Sequence, residues 1–144
     1  MTPPCEKLRL LIVVEDGFAR DVLVSAAEAS DMFGIITCAE DAHEALAEIW
    51  DGVQRQTLPD VLVADLDLTD YNGTQLTCEL RRHNETRAVF IALIAETTNE
   101  LGRAAAETAG ADCFGVYSTS VTDMAEVLRE IGRRSIAASR VPIS

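Results

Sequence analysis

Three carboxylates could carry chemistry in this chain. Asp65 closes a short apolar run, Val61-Leu62-Val63-Ala64, and Glu15-Asp16 closes another, Leu8-Arg9-Leu10-Leu11-Ile12-Val13-Val14. An apolar run that ends abruptly in an acid is how a buried parallel strand delivers a carboxylate to the rim of a sheet. A single Asp after a strand most often caps a helix or begins a turn. Two such strands set three acids at one sheet edge, where their repulsion calls for a cation or a shifted pKa. Asp65 is therefore the candidate reactive group.

The elements that must position these acids alternate along the chain. Strands are expected at about Leu8–Val14, Ile35–Ala39, Val61–Ala64, Ala88–Ile94 and Asp112–Tyr117. Helices fill the spaces between them. The first runs from about Phe18 to Met32, with Phe18, Val22, Ala26 and Ala29 at helical spacing and Gly34 as its stop. Asp41 with Glu44 resembles a capping box for the second, which turns Ala42, Ala45, Leu46 and Ile49 to one face. The third follows Asn72-Gly73. The fourth carries a second such box, Thr97 with Glu100, and stops at Gly110. Ser120 caps the last helix, whose stripe is Val121, Met124, Leu128 and Ile131.

Strands apolar on both faces and separated by helices predict an α/β fold, a parallel sheet covered on both sides. In the doubly wound order 2-1-3-4-5, strands one and three meet at the switch point, and ligands bind beyond their carboxyl ends. Glu15, Asp16 and Asp65 would meet there.

Composition narrows the function. The 144 residues suit one domain with a real core, and the net charge of −12 is spread along the chain. No basic stripe is present, which argues against direct nucleic-acid binding. No segment has the roughly twenty apolar residues of a membrane span, and no signal peptide is evident, so a cytoplasmic location is expected. Cys5, Cys38, Cys78 and Cys113 are widely spaced and read as buried, reduced thiols. His43 and His83 read as surface residues without metal partners.

The motifs VVED, DLDLTDYNG, IALIA and GADCF, in that order, resemble the receiver domain of bacterial response regulators, a flavodoxin-like family, over about residues 7–134. Residues 1–6 then form an N-terminal extension and 135–144 a tail or the start of a linker. The resemblance implies a signalling module rather than an enzyme. A phosphohistidine on a histidine kinase or phosphotransfer protein would donate its phosphoryl group to Asp65, the nucleophile. It implies Mg2+ held by the side chains of Asp16 and Asp65 and the backbone carbonyl of Asp67, with Glu15 in the outer part of the site. It also implies a possible homodimer through the face of helix four, strand five and helix five.

Three positions depart from the family pattern. Where the family places a Thr or Ser at the end of strand four, this chain has Ile94, and reaching Thr97 would take a three-residue slide that reverses the strand's faces. Where it places a Lys and then a cis Pro, this chain has Tyr117-Ser118, and its single lysine, Lys7, lies at the wrong edge of strand one. Phe114 lacks the hydroxyl often found at its position. A hydrogen bond to a charged group contributes about 1.5–3 kcal/mol, whereas throwing a switch takes about 5.5 kcal/mol, so losing two such contacts removes most of the drive. Two readings follow: a phosphorylated receiver, or a degenerate receiver that serves as an interaction or dimerisation module. A flavodoxin-like cofactor binder is disfavoured, because Glu15-Asp16-Gly17-Phe18 would repel a phosphate.

Overall fold

The structure, a computed structural model, describes residues 7–97 and 100–139. Strands and helices alternate: β1 (Leu8–Val13), α1 (Gly17–Ser30), β2 (Phe33–Ala39), α2 (Ala42–Arg55), β3 (Val61–Asp65), α3 (Gly73–Arg81), β4 (Phe90–Ala95), α4 (Glu100–Ala109), β5 (Cys113–Val116) and α5 (Val121–Ser139). The strands form one parallel sheet in the order β2-β1-β3-β4-β5, as the apolar runs predict.

Alternation along the central strands builds a core on each side. Leu10, Ile12, Val61, Val63, Ala92 and Ile94 pack toward α1 and α5, against Leu23, Ala26, Met124 and Leu128. Leu11, Val13, Leu62, Ala64, Ile91 and Leu93 pack the other way, against Ile49 of α2, Leu76 and Leu80 of α3 and Ala106 of α4. Each fully buried Leu or Ile contributes about 1.5–3 kcal/mol, so this double core fixes the strand register and the height at which each strand leaves the sheet.

Several local expectations change. β2 is an edge strand whose middle is largely open to solvent, so it is not apolar on both faces, and Cys38 on β2 and Cys78 on α3 are exposed rather than buried. Cys113 is half-buried, and Cys5 lies outside the described residues. Helix α1 ends at Ser30, with Asp31 in the left-handed conformation (φ 60°), and Gly34 is already inside β2. Phe18, expected on the inward stripe, is 64% exposed because it sits in the first turn, beyond the edge of the sheet. Val121 at the start of α5 is likewise exposed.

Helix α4 begins at Glu100, and the expected capping box with Thr97 spans residues 98 and 99, which lie outside the described residues. Helix α5 continues through Ser139, five residues past the expected end. Its inward stripe runs on from Ile131 to the small, buried Gly132 and Ser135, which a count of large apolar residues passes over. The caps at Asp41 and Ser120 form as expected, accepting from the N–H groups of Glu44 and Asp123. Gly110, with φ 102°, ends α4 in a conformation only glycine adopts freely.

Candidate functional site

The strand ends bring the sequence's acids to one rim. β1 and β3 are neighbours, with Val13 opposite Ala64, so the chain leaves the sheet at Glu15-Asp16 and at Asp65 side by side. Each acid is then held separately. Asp16 caps α1, its Oδ2 accepting from the Ala19 N–H at 2.9 Å. Glu15 turns to the loop after β3, where Oε1 accepts from the N–H and hydroxyl of Thr69 at 2.9 and 2.8 Å. Asp65 Oδ1 accepts from the Asp67 N–H at 2.8 Å, and Oδ2 accepts from the Tyr117 hydroxyl at 3.2 Å.

The loop after β3 is folded tightly against Asp65. Asn72 and Gln75 form a full capping box at the start of α3, and the Gly73 N–H donates to the Leu66 carbonyl at 2.9 Å. A Cβ on Gly73 would stand 2.7 Å from the Asp65 carbonyl oxygen and 3.1 Å from Leu93 Cδ2. Only glycine lets α3 start this close to the strand that carries Asp65.

Beside Asp65 lies a pocket of about 290 Å³, lined by Asp16, Asp65, Glu96 and Tyr117 and by the apolar Phe18, Ala19 and Val22. Among the described residues no Lys, Arg or His lines it. Burial pushes the Asp65 carboxyl above its ordinary range, and the charges of Asp67 and Glu96 push the same way, against the hydrogen bonds from the Asp67 N–H and Tyr117. Burial, with the neighbouring Asp65, Asp16 and Glu96, keeps the Tyr117 hydroxyl protonated far above its ordinary range. A larger hollow of about 660 Å³ lies at the opposite ends of the strands. Its Arg81 is engaged by the carbonyls of Gly110 and Val89 and by Asp112, and none of the rim acids reaches it.

Not every expected residue is at the pocket. Ile94 pairs in register with Asp65 but is 1% exposed and packed in the core. Strand β4 runs one residue further than expected, to Ala95, so the side chain that reaches the rim from it is Glu96, two residues on. Nothing in a stretch reading Ala95-Glu96-Thr97 marks that acid from sequence except its place after an apolar run. Phe114 lies on the other face of the sheet from Tyr117, under the Arg103 guanidinium at 5.3 Å from the ring centroid. No peptide bond among the described residues is cis, including Tyr117-Ser118.

One cluster was not legible from spacing. Asp41, His43 and Asp70 have ligand atoms within 4.8 Å of one another, the only such group of three among the described residues. Asp70 accepts from the N–H groups of Ala42 and His43 at 3.3 and 3.2 Å and meets His43 Nδ1 at 2.5 Å. The cluster thus ties the loop after β3 to the start of α2. His83 is half-buried, paired with Glu79 at 3.0 Å and edge-on to Trp50.

The donor set at the rim suits a divalent cation. Asp16 and Asp65 are hard oxygen donors in a pocket that no base among the described residues lines, and each carboxylate has lone pairs beyond those its cap or turn uses.

Comparisons with known proteins agree with this geometry. Residues 10–116 match the response regulator receiver domain family. No curated protein matches the chain. Among solved structures, the chain is similar to the phosphorylated cyanobacterial phytochrome response regulator RcpA, with a TM-score of 0.79 and 14% identity over 95% of this chain and 99% of that one. A CheY-like response regulator receiver domain protein from Methanospirillum hungatei JF-1 gives 0.74 and 20%, covering 92% and 99%. The Mn2+-bound form of the response regulator Rcp1 gives 0.73 and 16%, covering 95% and 99%. At these identities the likeness shows the fold, and the family is shown by the match over most of the chain. No helix among the described residues is long and apolar enough to cross a membrane. The chain belongs to the response regulator receiver domain family, and it is a receiver domain of two-component phosphorelay signalling, a signalling module rather than an enzyme.

Proposed function

We propose that Asp65 is the phosphoacceptor. The observation that supports this reading is its placement: the acid that ends β3, half-buried in the lining of a rim pocket, with both oxygens oriented by hydrogen bonds. One carboxylate oxygen attacks phosphorus, the P–N bond of a phosphohistidine on a histidine kinase or phosphotransfer protein breaks, and the ring nitrogen leaves with the electron pair. The chain's own part is positioning. The Asp67 N–H fixes one Asp65 oxygen, Tyr117 holds the other, and Glu15 anchors the loop through Thr69.

Mg2+ is the proposed cofactor, held by the side chains of Asp16 and Asp65 and the carbonyl of Asp67, with Glu15 outside them. When bound, the ion would offset the acids' charge and that of the incoming phosphoryl group. A homodimer through α4, β5 and α5 belongs to the same reading.

The site is proposed to be atypical. Where the family supplies a lysine, Tyr117 offers one neutral hydrogen-bond donor, and no cation among the described residues lines the pocket. That observation favours a second reading, a degenerate receiver acting as a phosphorylation-independent interaction or dimerisation module. Hydroxylamine separates the two after treatment with acetyl phosphate and Mg2+. An acyl phosphate on Asp65 is converted to a hydroxamate at that residue, whereas a chain that yields none supports the degenerate module.

A further inference from the structure

We propose that the open edge of β2 is a docking site for an extended, basic strand of a partner protein, which joins the sheet beside it. The inference is independent of phosphate chemistry at Asp65. β2 is the outer strand of the sheet, hydrogen-bonded to β1 alone. The Ala39 carbonyl accepts from Val14 at the end of β1, so alternation along the strand turns the N–H and C=O of Ile36 and Cys38 outward, away from β1. Gly34, Ile35, Thr37 and Cys38 are exposed, Ile35 at 45%, so neither flanking helix closes this edge. Edge strands are commonly guarded against a further strand by charges, proline or a bulge. Here the segment Phe33–Ala39, FGIITCA, has neither charge nor proline, and its one irregularity lies at its start.

The occupant follows from the charges on either side. A strand added at this edge presents its side chains alternately to the α1 and α2 faces of the sheet. On the α2 face Glu48 borders a small hollow with Ile35 and Thr37, and on the α1 face the charge of Asp21 acts on the Cys38 thiol. Both acids are exposed, and neither forms an ion pair with another described residue. Of the bases nearby, Arg9 lines the hollow without pairing with Glu48, and Arg20 is turned to Glu40 and the Glu15 carbonyl. A partner strand with lysine or arginine on both faces meets an acid on each. A second copy would instead bring its own acids, and a net charge of −12, against them.

The probe is a synthetic peptide of about eight residues, long enough to span β2, built from valine, threonine and lysine with lysines on both faces. Amide hydrogen exchange and chemical shifts are followed by NMR. The peptide should slow exchange at Ile36 and Cys38 and leave β5, at the other edge, unchanged. Glu48→Gln and Asp21→Asn, both at exposed positions, should each weaken binding about two- to fivefold at low ionic strength, and the differences should shrink in high salt. A peptide N-methylated at every residue has no N–H to donate and should not bind. No binding, equal binding of the N-methylated peptide, or affinities indifferent to Glu48 and Asp21 would overturn the inference. So would slow exchange at Ile36 and Cys38 in the protein alone that deepens with its concentration, which gives the edge to a second copy.

Discussion

The Tyr117 hydroxyl donates to Asp65 Oδ2 at 3.2 Å, so the carboxylate at the end of β3 is met from β5 by a neutral donor. Among the described residues the pocket around the pair holds three acids and no base. Burial and the neighbouring charges both disfavour ionised Asp65, and the hydrogen bonds from Tyr117 and the Asp67 backbone partly restore it.

Tyr117→Phe removes one of those two supports. The Asp65 pKa should rise above its already elevated value, as read by carboxyl-carbon NMR titration. Tyr117→Lys should move it down, since a cation then stands where the hydroxyl was. A titration unchanged in both variants would mean that Tyr117 does not sense Asp65 in solution.

Replacing Asp65 itself should stabilise the fold. Its folded pKa lies above its ordinary value of 3.8, so between those two pH values the folded chain binds more protons than the unfolded one. Stability therefore falls as pH rises through that window, and the burden is fully present above the folded pKa. Asp65→Asn should raise the melting temperature at neutral pH, because it removes a charge that burial disfavours. The gain should vanish in acid, below 3.8. Calorimetry across pH checks both parts.

Gly73→Ala should be among the costly small substitutions. Its Cβ would meet the Asp65 carbonyl oxygen at 2.7 Å, and backbone, not a flexible side chain, would have to give way. A loss of about 2–3 kcal/mol in chemical denaturation is expected, with displaced amide signals at Asp65 and Leu66.

Much of the fold was legible because the central strands are long enough in Val, Ile, Leu and Ala to be recognised without partners. The strand order followed from helical connections and their handedness. What was not legible depended on where a strand stops to within one residue: strand four was expected to end at Ile94, yet β4 runs to Ala95 and Glu96 follows it at the pocket. The tail of α5 was missed because Gly132 and Ser135 carry no hydrophobic signal while lying on the buried face. Contacts far apart in sequence, such as Glu15 with Thr69 and His43 with Asp70, have no local signature.

The Glu15–Thr69 contact is a case where loop and strand must be coupled. Thr69→Val loses the hydroxyl bond and keeps the backbone one, whereas Glu15→Ala loses both. Losses of about 0.5–1 and 1–2 kcal/mol are expected, and a double-mutant cycle should show the two substitutions to be non-additive. Additive losses would mean that the pair does not hold the loop.

The central claim is that Asp65 accepts a phosphoryl group, and the intact mass of the purified protein after incubation with acetyl phosphate, with and without Mg2+ and beside Asp65→Asn, tests it most directly. A single phosphoryl adduct that requires Mg2+ and is missing from Asp65→Asn is the predicted result. A folded wild-type chain that gains no mass, or a variant that gains as much as the wild type, would contradict it.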